Sequence, residues 1–262
     1  MSSIPPSEPL PLQRVLSRPV LISAAALAAA VALAWAWLLG QGTPVGMAGM
    51  EGMPGMTVDP WSPAYLLPAF TMWVLMMVAM MLPSAAPMVL LHARIDRGTP
   101  AARARDNALF ALCYLVVWAG FSVLAALAQA GLVESGLVSS LGLAAGSERL
   151  AGGLLLIAAV WQLTSAKAAC LEQCQSPIRF VMRYWRPGPV GAVRLGLAHG
   201  LFCLGCCWSL MLLLFVGGVM NLAWVALLAA VVIAEKAAPP AWRIDRWLAA
   251  ALALAAVAVL IA

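Results

Sequence analysis

Ten consecutive residues, His199-Gly200-Leu201-Phe202-Cys203-Leu204-Gly205-Cys206-Cys207-Trp208, set an imidazole and three thiols inside an otherwise apolar segment. On a helix, Cys203, Cys206 and Cys207 fall within about 80° of His199, and Met211 within about 120°. Such side chains are costly in a bilayer, so gathering them on one face points to a function. Imidazole, thiol and thioether are soft ligands suited to Cu(I), and less selectively to Zn(II), another soft metal or an iron–sulfur cluster.

A second soft face lies on the stretch 71–88, where Met72, Met76 and Met80 form one i,i+4 ridge and Met77, Met81 and Met88 its neighbour. Counting rise from the helix ends puts Met76, Met77, Met80 and Met81 near the bilayer midplane, level with Cys206 and Cys207, so the two faces could meet. The same stripe equally serves as flexible core filler. Pro83 and Pro87 predict a kink or break in the inner half of this helix, forming either a gate or site wall or a simple packing bend.

Cys170 and Cys174 stand one helical turn apart, which suits a receiving site for an ion leaving the His/Cys face, or two small hydrophobes at an interfacial helix. Met47, Met50, Met53 and Met56 recur every three residues in a Gly/Pro-rich stretch that cannot pack as a core helix. Such a thioether array could capture Cu(I) in an oxidising compartment, or be a low-complexity linker. Glu235 and Lys236 end a helix, where charges snorkel to water. His92 reads as interfacial and not as a ligand.

The elements that must hold these residues follow from composition. The 262 residues are 64% hydrophobic and 10% charged, with mean hydropathy +0.97, which excludes an ordinary soluble domain. Apolar runs predict seven transmembrane helices near 20–39, 64–91, 108–130, 149–166, 195–218, 222–236 and 246–262, an all-α polytopic bundle. The first run reads as a retained anchor, since no small-residue cleavage site follows it.

With the N-terminus inside, every one of the 15 basic residues except Arg149 falls on the inner side, while Glu51, Asp59, Glu134 and Glu148 fall outside. The net charge of +5 then belongs to the inner surface and calls for no nucleic-acid partner. Residues 1–19 read as a cytoplasmic tail and 20–262 as one membrane domain with a methionine-rich outer loop at 40–63. The location is a bacterial inner membrane, crossed several times. None of the six cysteines falls in an outer loop, so a periplasmic disulfide framework is not expected.

The succession Met72-Trp73, Met80-Met81-Leu82-Pro83-Ser84 and Pro87, then Lys167, Cys170, Cys174 and Pro177, then His199-Gly200-x2-Cys203-x-Gly205-Cys206-Cys207-Trp208, Met220-Asn221-Leu222 and Glu235-Lys236, resembles a bacterial family of predicted metal-binding integral membrane proteins. The likeness spans about residues 60–240 and leaves out the methionine loop. It implies metal binding and attaches no reaction.

The expected function is binding of a soft metal, Cu(I) by preference, for acquisition, transport or delivery. The loop methionines would capture the ion, the second and fifth helices hold it, and Cys170 with Cys174 accept it. No phosphate-cradling loop is present to drive a pump, so transport would be passive or exchange-driven, or the metal would pass to a donor or acceptor protein. Two rival readings are a membrane thiol-disulfide oxidoreductase built on Cys203-x2-Cys206, and a subunit without chemistry that assembles a complex. Besides the lipid bilayer, small residues such as Gly217 and Gly218 would suit helix packing within the chain or in a homo-oligomer.

Overall fold

The computed structural model describes residues 18–41, 59–95, 98–138 and 143–261. Met47, Met50, Met53 and Met56, and nearly all of the N-terminal tail, lie outside the described residues. The fold is all-α: hydrocarbon offers a backbone no hydrogen-bonding partner, and a helix satisfies its own groups locally. Among the described residues the one β feature is an isolated bridge between Val138 and Ala145.

In chain order the helices are α1 (Arg18–Gln41), α2 (Pro63–Ile95), α3 (Pro100–Glu134), α4 (Glu148–Gln162), α5 (Ser165–Gln175), α6 (Pro177–Tyr184), α7 (Gly188–Leu212), α8 (Leu222–Ala237) and α9 (Ile244–Ile261). A single further turn, Leu214–Gly217, extends α7 past Leu213. Among the described residues, five stretches are long and apolar enough to cross a membrane: Val20–Gly40, Pro63–Ile95, Pro100–Glu134, Gly188–Gly217 and Ile244–Ile261. A sixth is added if α4 and α5 form one bent span. With 16 residues, α8 rises about 24 Å, less than the roughly 30 Å of a hydrocarbon core. Leucines exposed along the outside of α1 and α3, among them Leu33, Leu112 and Leu124, are compatible with a lipid-facing surface.

Two elements differ from the sequence expectation. The expected straight span at 149–166 stops at Gln162, and the chain turns by 68° into α5. Thr164 makes the turn, its side chain accepting from the Lys167 amide at 3.2 Å and capping the new helix. The turn lays α5 against α7. Helix α2, by contrast, runs without a break through Pro83 and Pro87.

The core lies between α2, α3 and α7, where Trp73, Met76, Met77, Met80, Met81, Tyr114, Trp118 and Met211 are wholly enclosed. Helix α7 can press its backbone against α3 because residue 196 is glycine. A Cβ there would stand 2.4 Å from the Phe110 carbonyl oxygen. Helix α4 is covered by α9, and α1 packs along α2.

Candidate metal centre

Helix α7 places Cys203, Cys206 and Cys207 on its buried side, in the core they share with Met76, Met77, Met80, Met81 and Met211. Their level is shared by α5, brought there by the bend at Thr164. Cys174 of α5 lies close to both Cys203 and Cys206. Cys170, one turn earlier, reaches α7 where residue 205 has no side chain. A Cβ at Gly205 would stand 2.7 Å from Cys170 Sγ, and Cys170 is an electrostatic neighbour of Cys206. From α2, Met81 Sδ lies 3.9 Å from Cys207 Sγ.

Five thiols and a thioether thus converge from three helices. Where a separate inner site was expected for Cys170 and Cys174, the fold joins them to the α7 cysteines. All six cysteines are free thiols. The sixth, Cys113, stands apart on α3, facing Gly196 two turns from Cys203.

Cys203 is the hub. Its sulfur receives a hydrogen bond from Lys236 Nζ at 2.9 Å and lies 3.1 Å from the Tyr114 hydroxyl. Lys236 Nζ also donates to Ser84 Oγ at 2.9 Å. The Ser84 and Tyr114 hydroxyls in turn donate to the Met81 carbonyl, at 2.8 and 3.0 Å. The Cys206 and Cys207 thiols point back to the carbonyl oxygen of Cys203, at 3.1 and 2.9 Å. In these rotamers no three His, Cys, Asp or Glu side chains among the described residues are arranged to hold an ion. A change of χ1 at Cys206 or Cys207 exchanges a weak S–H···O contact for a turn toward the other sulfurs.

His199 lies one turn before Cys203, buried among rings. Its imidazole stacks on Tyr114 and Phe110, with centroids 5.5 and 6.1 Å away, and meets the edge of Phe180 at 5.4 Å. Its Nδ1 is buried with no hydrogen-bond partner. His92, near the end of α2, is buried, stacked on Phe110, with Nδ1 3.2 Å from Asn107 Oδ1.

The expectation that Glu235 and Lys236 snorkel to water is also overturned. Helix α8 ends against α5 and α2, so its last polar groups meet protein. Glu235 forms a buried ion pair with Lys167 at 2.5 Å, while Lys236 turns toward the thiols. Glu235-Lys236 was noticed in the sequence only as a helix end. The signal available was a lysine lying within the residues that carry the family resemblance.

A cavity of about 260 Å³ adjoins the cluster, lined by Pro83, Ser84, Pro87, Cys174, Gln175, His199 and Lys236 among others. The prolines expected to kink or break α2 are part of its wall.

The donor set of this cluster, several thiols, a thioether and a nearby imidazole with few hard oxygen ligands, fits a soft metal ion. The model of the PpoB2 family, described as a copper chaperone, matches residues 70–259. The chain belongs to that family. The matched stretch contains every residue of the cluster and starts beyond Met47–Met56. Membership in PpoB2 ties the chain to copper handling. No curated protein and no solved structure matches it.

Proposed function

We propose that this PpoB2 member is an inner-membrane protein that binds Cu(I) as cargo at the cysteine cluster and passes it to an acceptor on the cytoplasmic side. The observation that carries the reading is the convergence of Cys170 and Cys174 with Cys203, Cys206 and Cys207, a density of thiols that core packing does not require. Cys203 and Cys174 would be the two ligands of a low-coordinate ion, with Cys206, Cys207 and Met81 as alternative ligands during its passage. Met76, Met77, Met80 and Met211 would line the approach from the outer side. His199 would stand below the cluster as a further nitrogen ligand. Outside, Met47, Met50, Met53 and Met56 would collect the ion, thioethers surviving an oxidising compartment better than thiols.

Charge is compatible with Cu(I): a monovalent ion held by two thiolates carries a net charge of −1, and the Lys236 ammonium at 2.9 Å brings the assembly to neutrality, which a low-dielectric interior favours. A divalent ion would need a third thiolate, from Cys206 or Cys207, to reach the same neutrality.

The test is the metal content of protein purified anaerobically in detergent with a reductant. Near-stoichiometric copper is expected in the wild type and in Cys113→Ser, and loss of copper in the Cys203→Ala/Cys206→Ala/Cys207→Ala variant. Absence of copper from the wild type after Cu(I) loading would sink the reading.

A further inference from the structure

The thiol cluster is enclosed, yet a carrier must let its cargo out. Cys174 is the residue that belongs to both environments, lying close to Cys203 and Cys206 on one side and lining the 260 Å³ cavity on the other. Lys236, Gln175 and His199 line the cavity as well. It lies where α5 and α8 end, and residues of its rim, Pro87 and Ala237, are exposed. Its volume admits a small molecule and not a folded domain.

We infer that this cavity is an exchange port for a small thiol that carries an anionic group, with Lys236 drawing in that group and Cys174 handing the copper ion over. The inference rests on the copper reading above. In the exchange a bond forms between the incoming sulfur and copper as the bond from copper to Cys174 Sγ breaks. The proton released by the incoming thiol goes to Cys174, and copper stays monovalent throughout. Lys236 serves both states, lying against Cys203 before exchange and beside the incoming anionic group during it. An ammonium in a partly desolvated cavity favours anions over cations by roughly tenfold or more.

Two arms test the port on the full chain in a neutral detergent. In the first, copper-loaded protein is mixed with 3-mercaptopropionate or with cysteamine, thiols of similar size and opposite charge, and transfer rates are measured. Comparing the ratio of the two rates between variants cancels the thiols' own reactivities. Lys236→Met is expected to lower the anion-to-cation ratio about tenfold, Lys236→Arg to preserve it, and Ala237→Trp at the rim to slow both thiols.

The second arm needs no copper. Metal-free protein is treated with anionic sulfonatoethyl or cationic trimethylammonioethyl methanethiosulfonate, and labelled sites are mapped by mass spectrometry. Cys174 is expected to label ahead of Cys203, with a preference for the anion that Lys236→Met removes. An unchanged ratio in Lys236→Met, or labelling of Cys203 before Cys174, would overturn the port. Failure of the wild type to take up copper would instead overturn the copper reading, and the metal-free arm would still judge the cavity.

Discussion

At the scale of single residues, the cluster depends on one missing side chain as much as on its thiols. Gly205 leaves room for Cys170, because the Cβ of an alanine would stand 2.7 Å from Cys170 Sγ, well inside van der Waals contact. Cys170 is only half-buried and can swing away, so the fold should survive the change while the sulfur moves off the cluster. Gly205→Ala is therefore expected to leave the thermal midpoint within a few degrees of wild type and to weaken Cu(I) affinity by about tenfold, the scale of a lost supporting contact. Competition with a chromophoric Cu(I) chelator measures it. Unchanged affinity would remove Cys170 from the site. The histidine and the three α7 thiols were legible in the sequence, because one helix carries them and helical spacing alone shows that they share a face; the role of Gly205, which falls on another side of that helix, was not. Lys236 and Tyr114 were not legible, since they come from α8 and α3 and meet Cys203 only through tertiary packing.

At the scale of elements, the centre is assembled by how α5 and α8 are pinned. Lys167 on α5 and Glu235 on α8 pair with side chains about 1–2% exposed, and Gln175 at the end of α5 donates to the Glu235 carbonyl at 2.8 Å. Each charge needs the other. Lys167→Met alone strands a buried carboxylate and is expected to destabilise the protein by about 3–5 kcal/mol. The Lys167→Met/Glu235→Leu pair, which removes both charges, should recover most of that loss. Thermal unfolding of the two single variants and the double variant, analysed as a cycle, checks it. A loss in the double variant equal to the sum of the two single losses would mean that the two side chains act separately. The bend that brings α5 to α7 was hidden in the sequence for a physical reason. Residues 149–166 are apolar enough to read as one straight span, and the cap that ends it is a single threonine whose role shows only in its bond to the Lys167 amide. A kink or a break was foreseen at Pro83 and Pro87, and the helix is not broken there. Each missing amide proton costs one helical bond, and the Ser84 and Tyr114 hydroxyls add bonds to the Met81 carbonyl nearby, so packing carries the helix through.

At the scale of the whole molecule, the two ends of the bundle differ in chemistry, and the proposed path of copper follows that difference. The cavity, Cys174 and the end of α8 lie at the end flanked by Arg179, Arg183, Arg186 and Arg243, while Glu134 and Glu148 belong to segments at the other. Basic residues are held on the cytoplasmic side during insertion, so the port opens inward if the charge pattern governs. The number of crossings before that port sets the prediction. Taking α1, α2, α3 and the bent α4–α5 pair as four, a chain with its N-terminus inside is again inside at the α6–α7 junction. A cysteine introduced at Arg186, in a background where Cys113 and Cys170 are serine, should therefore resist a membrane-impermeant maleimide in spheroplasts and react once the membrane is opened. One introduced at Ser135, three crossings in, should react in intact spheroplasts. If both positions react from outside, the bent pair is a re-entrant segment that returns to the outer face. The cavity would then be an entrance for copper, with Lys236 and Cys174 receiving cargo where the inward topology has them release it.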